Sequence, residues 1–352
     1  MNITTEQKPG GTLVLTATVD GADYAPEVDK RLKEYRRSAN VPGFRPGMVP
    51  MGVINKMYRR GVVAEQAYRK ASEAAYKYLE DNKIDYIGDP IAGDEQGEFD
   101  FEGDTQHAFV FEVGVAPAVN LTLDDSDKLT YYKIKIDKGM RDSWHSNFMR
   151  RFGQTDENKV AIDEEFFKTA FPDGSVTDEA GLAKFGDGQI EAELARESEY
   201  LFTVQLRDYL LKKANLAMPE DFLRRWLFVV NEGKFTAEEI DKDFPAFLKM
   251  MAWSRIQNYF IDTLGLKIEQ EDMIAEAKNI ARMQFAQYGM SGVPDDTLTG
   301  FAQSILSNKE EAQRIFEQVR QQKVIDAVKG SIKTTNKSVS AEEFQKVASS
   351  LA

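Results

Sequence analysis

His107 and His145 are the chain's whole supply of imidazole, and there is no cysteine. The two histidines stand far apart and neither belongs to a His-Glu-x-x-His pattern, so each reads as structural rather than as a zinc ligand or general base. Without thiols there is no disulfide, no cysteine nucleophile and no thiolate metal site. Gly233-Lys234 runs into Phe235 with no earlier glycine at the spacing of a phosphate-cradling loop, and Gly186-Asp187-Gly188 lacks the rest of a dinucleotide fingerprint. Asp124-Asp125-Ser126-Asp127 has neither the glycine nor the closing glutamate of a calcium loop. No pattern proposes catalysis or a cofactor site, and the expectation is a binding protein with no cofactor and no active site.

One short stretch does offer recognition chemistry: Gly43-Phe44-Arg45-Pro46-Gly47-Met48-Val49-Pro50. A large aromatic and a guanidinium lie between residues that form turns. That composition fits an interface anchor, because each side chain supplies much contact area or several donors for little loss of freedom. The competing reading is an ordinary loop whose phenylalanine is tucked away. Around it, residues 29–60 hold nine basic residues, Lys30, Arg31, Lys33, Arg36, Arg37, Arg45, Lys56, Arg59 and Arg60, against Asp29 and Glu34, a local charge of +7. The whole chain carries −13, which argues against general nucleic-acid binding. A basic face on an acidic protein fits docking to one anionic surface, or a merely solvated helix face.

The elements that must hold this loop are legible in the apolar spacing. Residues 11–20 alternate as a strand, with Leu13, Leu15 and Ala17 on one side. Val28, Leu32 and Tyr35 recur at helical spacing over 24–39, and Pro42-Gly43 must end that helix. After the loop at 40–50, Ala64, Ala67, Tyr68, Ala71 and Ala75 predict a helix over 53–79, with a break near Gly61. Residues 86–115 read as strand around a hairpin turn at Gly103-Asp104. These elements make an α+β domain over 1–115. Residues 116–160 are expected to be a linker holding a strand at 129–136 and a helix at 138–152. A helical domain follows over 161–352, with helices at 163–170, 189–213, 219–230, 236–264, 270–288, 295–306, 309–332 and 341–350. Pro219 suits a first helical turn, and Ser340 before Glu342-Glu343 suits a capping box.

At 352 residues, 42% hydrophobic and 29% charged, the chain is long and apolar enough for two or three cores. No stretch approaches the length of a membrane span, and MNITTEQKPGG shows no export signal.

The pattern Gly43-Phe44-Arg45-x-Gly47-x-x-Pro50 resembles the ribosome-docking signature of the trigger factor family of bacterial chaperones. The resemblance continues through Asn215-Leu216-Ala217-Met218-Pro219, Leu264-Gly265-Leu266-Lys267-Ile268 and Val339-Ser340-x-Glu342-Glu343-Phe344. It implies an N-terminal ribosome-binding domain and an elongated C-terminal chaperone domain with helical arms. Gly43, Phe44, Arg45, Pro46 and Gly47 would dock to a large-subunit protein and ribosomal RNA beside the exit tunnel. Pro46 stands where the family usually has lysine, so Arg36, Arg37 and Arg59 become the candidates for supporting charge. Family members usually insert a prolyl-isomerase domain; here the middle leaves no room for one, and with it goes the family's enzymatic activity.

The resemblance further implies ATP-independent shielding of unfolded nascent polypeptides in the cytoplasm, without DNA or membrane, and leaves a homodimer off the ribosome open. Soft and aromatic side chains suit promiscuous contact, which nominates Met218, Phe222, Met250, Met251, Phe260, Met283, Phe285 and Met290 for the client surface. A ribosome-independent or periplasmic-type holdase of similar helical design, or a scaffold for one folded partner, remains the alternative.

Overall fold

The computed structural model describes residues 1–45, 47–155, 158–288, 290 and 292–351. Its strands are β1 (Asn2–Lys8), β2 (Thr12–Val19), β3 (Tyr86–Ala92), β4 (His107–Val115), β5 (Lys128–Ile134) and β6 (Lys333–Val339). Its helices are α1 (Gly21–Ser38), α2 (Met51–Asp81), α3 (Lys138–Arg150), α4 (Glu164–Ala170), α5 (Glu179–Ala214), α6 (Glu220–Val230), α7 (Ala237–Leu264), α8 (Gln270–Gln287), α9 (Asp295–Ser307), α10 (Lys309–Lys329) and α11 (Ala341–Ser349). They divide into two units, one formed by 1–119 with 215–252 and the other by 120–214 with 253–352.

In the first unit the sheet runs β1-β2-β4-β3, antiparallel throughout, with Leu15 opposite Phe111 and Thr5 opposite Leu15. The period of two in β2 and β4 sends Leu15, Ala17, Val19, Phe109, Phe111 and Val113 to one face. There they meet Tyr24, Val28 and Leu32 of α1 and the small stripe Ala67, Ala71 and Ala75 of α2. Alanine at that spacing lets a helix approach a sheet closely, and α2 runs unbroken through Gly61. β1 was not legible in the sequence: NITTEQK has a single large aliphatic residue and lies exposed at the sheet edge. The expected hairpin at Gly103-Asp104 does not form. Residues 93–106 are irregular, because Phe99 and Phe101 stack on each other and against Phe109 and His107 instead of alternating across a strand.

The second face of the sheet is covered by residues far along the chain. Ile87, Ile91 and Ala116 pack with Phe222 and Leu223 of α6 and Phe244 of α7. The first unit therefore takes in 215–252, where the sequence boundaries 1–115, 116–160 and 161–352 draw the division differently.

In the second unit β5 and β6 pair in parallel, Lys128 with Lys333 through Ile134 with Val339. Apart from Val339, β6 is exposed, so it carries no apolar period and the sequence shows no strand there. α5 and α11 close one side around Ile134, Leu201, Val339 and Phe344. α5 begins well before the expected start and passes through Gly186, where a Cβ would lie 2.6 Å from the Trp144 ring. α3, α4 and the start of α5 enclose Met149, Phe166, Phe167, Phe171 and Leu182. α8, α9 and α10 pack around Ala277, Ala302, Ile315 and Val319.

Candidate functional site

α1 starts on a capping box in which the Asp23 carboxylate accepts from the Asp20 N–H at 3.0 Å. It stops at Ala39, which turns extended, since Val41 precedes Pro42 and is pushed from the helical region. Val41 and Val49 are buried and pin both ends of the loop. Between them the Phe44 N–H donates to the Val41 carbonyl at 3.1 Å and the Met48 N–H donates to the Arg45 carbonyl at 2.9 Å, giving two successive turns. Gly43 and Gly47 sit at φ +88° and +82°, conformations that disfavour any side chain. α1 and α2 are joined behind the loop by a stacked pair, Tyr35 on Tyr58 at 5.0 Å.

This geometry points the loop's recognition residues outward. Phe44 is 40% exposed and Met48 69%, and Arg45 is exposed. Met48 was not nominated from the sequence, although its place beside an inward valine was the available signal. Pro46 lies outside the described residues. The supporting cations divide. Arg36 donates from Nε to the Val49 carbonyl at 3.0 Å and so holds the loop's far end. Arg59 pairs with Asp104 at 2.6 Å, which ties α2 to the irregular segment and neutralises its charge. Arg37 is exposed and, like Arg45, has no ion-pair partner among the described residues. The same irregular segment accepts the Tyr24 hydroxyl at the Thr105 carbonyl, 2.7 Å away; burial, then nearby Asp104, pushes that phenol up.

The client candidates also divide. Met250, Met283 and Met290 are exposed, and Met218, Met251 and Phe285 are half-buried, the last against Phe301 at 5.2 Å. Phe222 and Phe260 are core residues at 1% and 5% exposure, which corrects their nomination as surface contacts: helix-spaced phenylalanines face a core first. Sequence reasoning missed Phe228, Val229, Val230 and Phe235, all exposed at the α6–α7 turn, and Tyr288 and Phe301 on the α8–α9 side. The run Leu227-Phe228-Val229-Val230 held the signal, since a helix in contact on one side cannot bury four consecutive residues. Among the described residues no group of His, Asp or Glu is placed to hold a metal ion, and no helix is long and apolar enough to cross a membrane.

Residues 1–146 match the family model of the bacterial trigger factor protein, and residues 198–348 match that of the probable trigger factor C-terminal domain. The chain belongs to the trigger factor family. Its family relatives include trigger factors from Clostridium botulinum (strain Loch Maree / Type A3), 27% identical over 64% of this chain and 52% of that protein, and from Cutibacterium acnes, 35% identical over 32% and 24%. Pelagibacter ubique trigger factor is 28% identical over 40% of this chain and 29% of its own. The chain thus spans about a quarter to a half of the curated relatives it matches. A solved structure from work on promiscuous substrate recognition in folding and assembly by the trigger factor chaperone shares the fold. Its TM-score is 0.53 at 14% identity, over 93% of this chain and 98% of that one. Residues 147–197 lie between the two matches, and the prolyl-isomerase domain is absent there. The aromatic core of α3, α4 and α5 occupies that stretch.

Proposed function

We propose that this chain is an ATP-independent, non-catalytic chaperone of the cytoplasm that docks at the exit of the large ribosomal subunit and shields emerging polypeptides. The observation that carries the reading is the docking loop, whose ends are anchored by Val41, Val49 and Arg36 while Phe44 and Arg45 face solvent. Such a loop presents an aromatic and a guanidinium with little ordering left to do on binding. Phe44 would contact ribosomal protein, and Arg45, with Arg37, would contact RNA phosphates. Shielding would rest on the exposed apolar residues Met250, Met283, Met290, Phe228 and Phe235, covered in turn by apolar segments of the client and released when those segments bury one another. Self-association off the ribosome would cover the same kind of surface.

The test is co-sedimentation with bacterial ribosomes at matched, moderate salt. Phe44→Ala/Arg45→Ala is expected to weaken binding by at least about tenfold, on the scale of two interface anchors, with circular dichroism unchanged. Equal binding by the variant removes the loop from the docking site, and no binding by the unaltered protein returns the chain to the ribosome-independent holdase reading.

A further inference from the structure

The β5–β6 ladder has one side left open. At its two ends the Lys333 N–H donates to the Asp127 carbonyl at 3.0 Å and the Lys135 N–H donates to the Val339 carbonyl at 2.9 Å. Alternate residues of a parallel ladder turn both backbone groups the same way. Lys333, Thr335, Lys337 and Val339 therefore face β5, and Thr334, Asn336 and Ser338 turn their N–H and C=O groups away from it. The sheet has no third strand among the described residues, and β6 is exposed from Lys333 to Ser338. Such outward groups are a template for pairing with another extended chain.

The same edge is cationic. Lys128 stands directly opposite Lys333, and Tyr132 opposite Lys337, so one face of the pair carries Lys128, Lys333 and Lys337 with Thr130 and Thr335 between them. Lys133, on the other face, is taken up by Glu191 at 2.9 Å. Lys128, Lys333, Lys337 and, just past the strand, Lys135 are exposed and have no ion-pair partner among the described residues. Like charges directly opposite across a ladder are destabilising, and an anionic neighbour removes that cost.

We propose that the outer edge of β6 is a docking site for extended, acidic polypeptide segments, which add to the sheet as a third strand. The guest pairs with the outward groups of Thr334, Asn336 and Ser338 and sets carboxylates beside Lys333 and Lys337, about 13 Å apart on one face. Backbone pairing supplies affinity without demanding a sequence, and the charges select the guest. Lysine on an edge repels a second edge of its own kind, which disfavours another copy of this chain. Nucleic acid could use the charges but not the peptide groups, and the rings it would stack on are taken. Tyr131 lies against Phe202, with centroids 5.8 Å apart, and Tyr132 lies under the Lys337 ammonium at 5.9 Å. The site rests on the chaperone reading for its client, and it adds a class of segment that the chain's net charge of −13 otherwise repels.

The test uses the full chain and a short fluorescent peptide of threonine and valine, with glutamates spaced as Lys333 and Lys337 are; binding is read by anisotropy. One control peptide has lysine for glutamate, and another is N-methylated at successive amides, which keeps the charge and loses the ladder. Two variants separate the same contributions on the protein: Lys333→Glu/Lys337→Glu reverses exposed charges, and Asn336→Pro removes an outward N–H that β5 does not use. Each variant and each control peptide is expected to bind about tenfold more weakly than the parent pair, with circular dichroism unchanged. Full affinity of the N-methylated peptide overturns strand addition, as does full affinity of Asn336→Pro. Full affinity of the lysine peptide, or of the charge-reversed variant, overturns the acidic preference. A single-stranded oligouridine that binds more tightly than the peptide, and is lost only on charge reversal, overturns the proposal and assigns the surface to nucleic acid. Should Asn336→Pro misfold, the N-methylated peptide decides alone. Suppression of the aggregation of denatured rhodanese by the unaltered protein reports separately on the chaperone reading: its failure removes that reading, whereas suppression without peptide binding overturns this site alone.

Discussion

His107 lies among Tyr24, Phe99, Phe101 and Phe109, with its ring 4.9 Å from that of Phe101. Its polar neighbours are the Thr105 hydroxyl, 3.4 Å from Nε2, and the Asp100 charge. Burial lowers its pKa, with Asp100 opposing, so the folded state holds the neutral ring. The contribution to stability is present above the unfolded-state value of about 6.5 and is lost as pH falls through that value toward the lowered one. Urea midpoints taken between about pH 7.5 and pH 5 should fall for the unaltered protein more steeply than for His107→Phe. Parallel curves would mean that the ring stays solvated. At this scale the sequence conveyed residue type better than circumstance. Phe44 and Arg45 stand outward where turn chemistry put them, but that Arg59 is neutralised by Asp104, forty-five positions away, could not be read from local spacing.

Among elements, the β5–β6 pair depends on Asp127. That carboxylate is 1% exposed and accepts from the Lys213 ammonium at 2.5 Å, from the Tyr209 hydroxyl and from the Asp124 N–H at 2.6 Å, while its own carbonyl accepts the Lys333 N–H at 3.0 Å. Burial pushes its pKa up, but the hydrogen bonds from Lys213 and Tyr209 outweigh that and leave it low; the Tyr209 phenol is pushed up to about 12. Asp127→Ala strands the Lys213 charge against the packed end of α5. A fully buried broken pair costs about 3–5 kcal/mol, and the partial exposure of Lys213 reduces the expectation to about 2 kcal/mol, measurable by chemical denaturation. A change below about 0.5 kcal/mol would show that solvent replaces the pair. Helices were legible where an apolar period and a recognisable start coincide, as Ser340 with Glu343 provides for α11, whereas the first ten residues of α5, the longest helix, were not. β1 and β6 escaped because neither turns a continuous apolar row to a core. Phe99 and Phe101 imitated strand alternation while satisfying an aromatic cluster instead.

For the whole molecule, charge separates the two proposed activities. Of the nine basic residues in 29–60, Arg31, Arg59 and Arg60 are held in ion pairs and Arg36 is bonded to the loop. Lys30, Lys33, Arg37, Arg45 and Lys56 have no ion-pair partner among the described residues. Each phosphate contact by such a cation contributes a slope of about −0.7 to −0.9 in log K against log salt, so ribosome docking should show a slope no steeper than about −4.5. Client binding, driven by apolar area, should change little over the same range. A shared salt dependence would place both activities on one charged surface. The bulk composition announced this division only as an acidic protein with a basic segment, because the sequence does not say which charges cancel in space.

The parallel pairing of residues 128–134 with 333–339 has a kinetic meaning. Antiparallel neighbours can zip from a tight turn, whereas this ladder joins segments separated by about two hundred residues, and the entropy of closing so long a loop must be met before the ladder rewards it. The helical hairpins of the second unit are local and quick to form. Their assembly into one body waits for the last strand, so the interior of the unit forms before its ends are joined, and its slow step is a meeting of its own first and last strands.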